Sequence, residues 1–238
     1  MMNTRRYRPF YYLSFIAIAL FLIYTIILLN VTDVGIDSSL RRARLLASGL
    51  SFIFSIIVAV KNPEENLFQL FCISMACTFM GDIYFTLHNY IFGITADYFF
   101  IFLSFFGTIS FMTLILAGLL KRTEPVNKYL PLLAIIPAGI ITVLIWIIGK
   151  LPFTTVVYLI VVSVAAYYAC KLLMSKIGKH FIFLVCCMIV YAGFVIFWIM
   201  SMTMEFNPIL LLFLEGVYVV APLLFLPALG MGLDRCQK

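Results

Sequence analysis

Long apolar segments alternate with short polar ones along almost the whole chain. A helix needs about 20 predominantly apolar residues to cross a bilayer, so each long apolar segment predicts a transmembrane helix. Eight such windows can be placed, and they cover residues 10–31, 45–60, 67–87, 98–120, 129–148, 153–174, 181–203 and 209–230. The pattern therefore predicts an all-α fold, a polytopic transmembrane helical bundle of about eight spans.

The polar segments between the windows are too short to fold as a soluble domain, so residues 1–238 are predicted to form a single integral membrane domain. Composition supports this class. Charged residues make up 11% of the chain, whereas about 25% is usual in soluble domains. The first window follows several arginines, as in a signal peptide, but it is too long for the apolar region of one. We therefore expect it to remain as a helix.

The distribution of basic residues predicts the orientation in the membrane. With both termini cytoplasmic, 12 of the 16 lysines and arginines fall on the cytoplasmic side, as the positive-inside rule favours. The cluster of Arg41, Arg42 and Arg44 is discordant, because it falls on the outer side before the second window. It either binds lipid phosphates or indicates that the first two spans have other boundaries.

The same features suggest where the protein acts and what it contacts. Short loops and a compact chain suggest a bacterial cell membrane, with membrane lipids as partners. The net charge of +6 is accounted for by membrane orientation, so no nucleic-acid partner is predicted. The oligomeric state stays open.

Two acids lie well inside the predicted spans. Asp82 is near the outer end of the third window and Glu215 is near the start of the eighth. At 1.5 Å per residue, both are about 8 Å below the outer boundary. A charged group at such depth costs a few kcal/mol unless it has a partner or water, which makes each acid a candidate functional residue. The alternative is a structural carboxylate bonded to threonine or tyrosine hydroxyls.

Several polar and aromatic residues are predicted at the same level as the two acids. They are candidate substrate-binding residues, although aromatic residues at this depth also serve in bundle packing or the interfacial belt. The candidates are Ser201, Tyr84, Tyr218 and Trp198.

Motifs for other chemistries are missing from the sequence. His88 and His180 are predicted on opposite sides of the membrane, and no HExxH pair occurs, so no metal site is predicted. There is no GxSxG turn for a serine nucleophile, and no cofactor fingerprint. What remains is carboxylate chemistry in a membrane pocket, or no chemistry.

The segment 73–84, with the sequence ISMACTFMGDIY, resembles the third helix of the YhhN-like, lysoplasmalogenase family, which has the pattern S-x-x-G-D-x-x-L. The segments 157–160, 192–197 and 216–221 are compatible with later helices of that family. Its members are eight-helix membrane proteins that cleave the vinyl-ether bond of lysoplasmalogens. The products are a fatty aldehyde and a glycerophospho-base.

This chain departs from the family pattern at two positions. The seventh family helix carries G-A-x-x-F-x-x-S-D, and this chain has Met200-Ser201 where Ser-Asp is expected. The family's last helix carries Y-x-x-A-Q, and here Pro222 replaces the glutamine. The second acid is therefore missing from its usual place. Either Glu215 or Glu205 substitutes for it, or the hydrolysis has been lost.

The resemblance implies a reaction that needs two carboxyl groups. One acid protonates a carbon of the vinyl ether, and a second, ionised carboxylate stabilises the resulting cation and activates water. Asp82 would be the acid and Glu215 the second carboxylate, with Ser201 or Tyr218 orienting a lysolipid substrate. Whether the chain is an enzyme stays open. The alternatives are a non-catalytic bundle that binds a lipid or small molecule, and a proton-coupled transporter, for which membrane acids are typical.

Overall fold

The computed structural model describes residues 8–30, 36–93, 98–124, 127, 129–137, 139–140, 143, 147, 152–201 and 208–236. Throughout these ranges the regular structure is helical, which confirms the prediction of an all-α bundle. The long helices are α1 Arg8–Asn30, α2 Ile36–Lys61, α3 Asn66–Thr86, α4 Tyr98–Leu120, α5 Pro152–Leu173, α6 Gly178–Ser201 and α7 Pro208–Cys236. A π-helical turn, Leu87–Ile91, extends α3, and a 3-10 turn, Leu130–Ala134, lies in the fifth predicted window.

Helices long and apolar enough to cross a membrane are present, as the sequence predicted. Among the described residues four such stretches occur, namely Ala43–Lys61, Asn66–Thr86, Phe100–Leu120 and Gly216–Cys236. Shorter apolar helices cover Pro9–Tyr24, Ile160–Leu173 and Gly178–Phe194. These helices indicate a membrane protein, while its orientation across the bilayer stays a prediction.

The start of α2 differs from the predicted window. The window begins at residue 45, after the arginine cluster, whereas the helix begins at Ile36. The helix continues through the charged residues, so the apolar window underestimates the length of the helix. Arg44 consequently does not lie in an outer loop but is buried in the bundle, with 7% of its surface exposed.

The bundle is organised around α3, which packs between α2 and α4, while α7 packs against α1, α2 and α6. Small residues allow these close approaches, as is usual where lipid supplies no hydrophobic driving force between helices. Ser48, Ser51 and Ser55 of α2 are all buried at these helix contacts. The Ser51 hydroxyl donates a hydrogen bond to the carbonyl oxygen of Pro222 at 2.7 Å, joining α2 to α7.

Two prolines lie inside α7 without ending it. A proline inside a helix removes a backbone hydrogen bond and favours a kink. The helix nevertheless continues through Pro222 and Pro227. The bond from Ser51 lies at the first of these prolines.

Gly81 lies where α3 and α4 pack closely against each other. A Cβ atom at this position would lie 2.0 Å from Ser104 Oγ and 2.7 Å from Ser104 Cβ. The glycine of the Gly81-Asp82 motif is therefore required by packing. By contrast, a Cβ atom at Gly193 of α6 would meet no atom within 4 Å.

We predict that Gly81→Ala destabilises the protein, because the added methyl forces α3 and α4 apart. Overpacking of this kind costs about 1–3 kcal/mol. Thermal unfolding in detergent should show a lower midpoint for Gly81→Ala and an unchanged or slightly higher one for the control Gly193→Ala. Equal midpoints for the two variants would contradict the described contact between α3 and α4.

Candidate functional site

Asp82 forms a buried ion pair with Arg44. Arg44 Nε of α2 donates to Asp82 Oδ1 of α3 at 2.5 Å. The two side chains are only 9% and 1% exposed, respectively. Asp82 is thus buried, as its position inside an apolar window predicted. Its partner is Arg44, which the sequence analysis had assigned to an outer loop.

Aromatic rings enclose the guanidinium of Arg44. Its central carbon lies 4.2 Å from the ring centroid of Tyr218 on α7, 5.6 Å from that of Phe85 and 5.7 Å from that of Phe105 on α4. A cation over an aromatic face is attracted by the ring's quadrupole, and the attraction is strongest where water is excluded. The Arg44 side chain therefore joins α2 to α3, α4 and α7.

A second tyrosine extends the site toward α6. The rings of Tyr191 and Tyr218 stack with their centroids 5.5 Å apart, and both side chains are 1% exposed. Phe194 packs against the ring of Tyr218, with 4.2 Å between the two ring centroids. The site consequently has a rigid aromatic wall formed by α6 and α7.

Three buried polar atoms in this region lack a hydrogen bond among the described residues. They are Asp82 Oδ2 and the hydroxyl oxygens of Tyr191 and Tyr218. The polar neighbours of the Asp82 carboxyl group include Ser48 and Tyr218. Buried polar groups are nearly always satisfied in native proteins. Asp82 and the two tyrosines therefore form one polar neighbourhood inside the otherwise apolar bundle.

A satisfied hydrogen-bond network lies deeper in the bundle. The hydroxyls of Thr78 on α3 and Thr108 on α4 are 2.9 Å apart, and the Ser74 hydroxyl donates to the Thr108 carbonyl oxygen at 3.0 Å. All three residues are buried. This network holds α3 to α4, and its hydroxyl groups all have hydrogen-bond partners, so its role is structural. Asp82 Oδ2 has no hydrogen bond among the described residues.

The structure brings together only part of the predicted site. Asp82 and Tyr218 meet around Arg44. Tyr84 shares α3 with Asp82, but its described ring contacts are with His88 at 4.2 Å and Phe100 at 5.3 Å. Those contacts lie toward the π-helical turn that extends α3.

Three other predicted residues have described backbone only. Glu215 lies on α7, one turn before Tyr218, and Ser201 is the last residue of α6, which also contains Trp198. Their side chains lie outside the described part of the structure, as does all of Glu205. Their roles as second carboxylate and substrate-binding residues stay predictions.

Arg44 and Tyr191 were not predicted from the sequence as residues of the site. Arg44 had a signal, because Ser48, Ser51 and Ser55 follow it at helical spacing on one face. Extending that polar stripe one turn backward reaches Arg44. Tyr191 had no such signal, since a tyrosine in an apolar helix is usually a packing residue.

No metal centre is indicated by the described side chains. No group of three or more histidine, cysteine, aspartate or glutamate residues occurs among them in a position to hold an ion. The charged chemistry described in the bundle interior is that of Arg44 and Asp82. A carboxylate held by a guanidinium in a low-dielectric site can accept a proton or stabilise a developing cation.

Comparisons with known proteins found no matching family model, no matching curated protein and no matching solved structure. The resemblance in the third helix therefore rests on the residues of this chain alone.

We predict strong coupling between Arg44 and Asp82 in a double-mutant cycle. Removing one member of a buried ion pair costs about 3–5 kcal/mol, because the other charge is left uncompensated, whereas apolar replacement of both is often tolerated. In unfolding measurements in detergent, Arg44→Met and Asp82→Leu should each be strongly destabilising. The double variant Arg44→Met/Asp82→Leu should recover much of that loss. Additive effects of the two substitutions would contradict the ion pair.

Proposed function

We propose that this chain is a YhhN-like membrane protein that binds a lysoplasmalogen and hydrolyses its vinyl-ether bond, in a bacterial cell membrane. The observation that carries the proposal is the buried carboxyl group of Asp82. This residue occupies the position of the family-like Gly-Asp motif, and its Oδ2 has no hydrogen bond among the described residues. A reactive carboxylate needs such an oxygen, and a purely structural one usually has both oxygens satisfied.

The ion pair changes the role that we assign to Asp82. The sequence suggested that Asp82 donates the first proton, but a carboxyl group that accepts a hydrogen bond from Arg44 is better suited to act as the ionised partner. In the proposed reaction Asp82 stabilises the positive charge of the oxocarbenium-like intermediate. It then accepts a proton from the attacking water.

The proton donor is assigned to Glu215 on α7. Protonation of the vinyl carbon distant from the ether oxygen gives the oxocarbenium ion, and addition of water gives a hemiacetal. Collapse of the hemiacetal breaks the bond between carbon and the glycerol oxygen, which leaves with a proton as an alcohol and gives the aldehyde. No oxidant or metal is needed. Two carboxyl groups of different protonation state satisfy the proton balance.

Aromatic walls suit this chemistry. The faces of Tyr218 and Phe105 hold the Arg44 guanidinium by attraction between a cation and an aromatic ring, so they fix the position of the ion pair that the proposed reaction uses. The Tyr218 hydroxyl, which has no hydrogen bond among the described residues, is positioned beside the carboxyl group to orient a substrate oxygen or the attacking water.

A second candidate function is non-catalytic binding of a lipid or small molecule. The observation that favours it is the same ion pair, because Arg44 and Asp82 can link α2 to α3 without taking part in any reaction. The missing family acid at Ser201 also favours binding alone. Proton-coupled transport has less support, since Asp82 is neutralised by a neighbouring arginine.

We predict that detergent-purified protein releases fatty aldehyde from a lysoplasmalogen, and that Asp82→Asn lowers the rate by about a hundredfold or more, as loss of a general base does. The control Gly193→Ala should retain activity. Because Asp82→Asn also breaks the ion pair, the double variant Arg44→Met/Asp82→Leu is assayed in parallel. It should be folded and inactive.

No aldehyde release by folded wild-type protein would overturn the hydrolase proposal for this substrate and leave the binding function. Activity that persists in the folded double variant would show that Asp82 takes no part in the reaction.

A further inference from the structure

We propose that the turn between α5 and α6 binds the headgroup phosphates of anionic two-chain phospholipids at one surface of the membrane. The turn comprises residues 171–180 and is called the lysine turn below. The inference concerns the contact of the chain with the bilayer around it, and it stands independently of the proposed hydrolysis at Asp82.

The lysine turn carries several positive charges and no negative one. Lys171, Lys176 and Lys179 lie close together in the sequence, and His180 follows directly. No aspartate or glutamate occurs anywhere in residues 125–204. The charge of these lysines is therefore balanced either by another part of the bundle or by a ligand.

The neighbouring part of the bundle supplies one acid to the lysine turn. Glu124, which follows α4, pairs with Lys176, and 2.7 Å separate Nζ from Oε2. Both side chains of this pair are largely exposed, so the pair contributes little in water. Lys171 and Lys179 have no carboxylate partner among the described residues. Their ammonium groups consequently remain available to an anion.

Contacts with other helices place the lysine turn at one end of the bundle. A Cβ atom at Gly232, one turn before the end of α7, would lie 3.0 Å from the carbonyl oxygen of His180. Arg122, just after α4, pairs with Glu65, just before α3, and Glu124 of the same segment reaches Lys176. The lysine turn therefore lies where several helices begin or end, which is the level of the lipid headgroups in a bundle that crosses a bilayer.

Tyrosines one turn earlier on α5 mark the membrane boundary. Tyr167 and Tyr168 precede Lys171, whose Nζ lies 5.5 Å from the ring centroid of Tyr167. Tyrosine is enriched where the hydrocarbon meets the headgroups, and lysine side chains near helix ends extend toward that interface. The ammonium group of Lys171 is accordingly placed at the level of the phosphates.

Apolar side chains in the lysine turn are exposed beside the lysines. Leu173 and Met174 lie between Lys171 and Lys176, and they are 40% and 39% exposed, respectively. Basic and apolar side chains exposed together are typical of a segment in the membrane interface, with the apolar groups among acyl chains and the basic groups at phosphates. This combination favours a lipid surface over a soluble anion as the partner.

The charge of the lysine turn determines which lipids it prefers. The phosphate of phosphatidylglycerol carries an uncompensated negative charge, whereas phosphatidylcholine also carries a cation that lysine repels. A basic residue near an anionic surface contributes about 1 kcal/mol, which is a factor of about five in preference. Salt screens this attraction, so the preference should fall as the ionic strength rises.

The test is electron paramagnetic resonance of spin-labelled lipids, with the protein reconstituted in phosphatidylcholine bilayers. The fraction of motionally restricted label measures how often each lipid occupies the protein surface. We expect a severalfold preference for spin-labelled phosphatidylglycerol over spin-labelled phosphatidylcholine at low ionic strength. The double variant Lys171→Gln/Lys179→Gln should lose most of this preference.

The matched control is Lys61→Gln, compared with the single variant Lys171→Gln. Lys61 also lies in the last turn of its helix, α2, and its Nζ also lies near an aromatic ring, 5.3 Å from the centroid of Phe10. Both variants change the net charge equally. We expect Lys171→Gln to lower the preference and Lys61→Gln to leave most of it. Equal losses would overturn the site, because attraction by net charge alone would then explain both.

Two further results would overturn the proposal. One is the absence of any preference for phosphatidylglycerol in the folded wild-type protein, and the other is a preference that persists in the folded double variant. Inorganic phosphate, compared with chloride at equal ionic strength, should not displace the restricted label. Displacement by phosphate alone would assign the lysine turn to a soluble phosphate ligand instead. None of these measurements depends on catalysis, so failure of the hydrolase proposal would leave them unchanged.

Discussion

A single buried ion pair constrains the centre of this bundle. Arg44 and Asp82 are held at 2.5 Å between two helices in a region from which water is largely excluded. Neither charge is tolerable alone at such depth, so the position of each helix depends on the other. The guanidinium also packs against Tyr218 and Phe105, so α4 and α7 are fixed relative to the same point. Hydrophobic burial distinguishes poorly between helix arrangements in a bilayer. This polar contact, by contrast, can form in only a few of those arrangements.

The site follows from this constraint because one half of the carboxyl group remains outside the ion pair. Oδ1 of Asp82 is bound by Arg44, whereas Oδ2 has no hydrogen bond among the described residues. Gly81 allows α4 to approach beside the aspartate. The threonine pair below is saturated. Structure and proposed chemistry therefore share Asp82: one oxygen holds the bundle together, and the other is left for a ligand or water.

Much of the fold could be predicted from the sequence, because about 20 apolar residues can cross a bilayer only as a helix or within a barrel. Residues 98–120 form a helix with the predicted bounds. The start of α2 could not be predicted from hydropathy, because the charge of Arg44 lowers the mean hydropathy there. Its partner Asp82 lies 38 residues away in the sequence. Asp82 was identified from its depth in an apolar segment and from the Gly-Asp motif. Its arginine was not, because depth along one helix carries no information about which face of another helix it meets.

Solid-state NMR of the protein in lipid bilayers tests the central claim most directly, by measuring the dipolar coupling between Arg44 Nε and Asp82 Cγ before and after addition of a saturated 1-O-alkyl lysophospholipid. A strong coupling in the lipid-free sample, with a change in the Asp82 carboxyl shift on adding this lipid, is the predicted result. It would mean that the ion pair exists and that its free oxygen meets the ligand. No coupling, or a coupling with a carboxyl shift that the lipid leaves unchanged, would contradict a ligand site built on this pair.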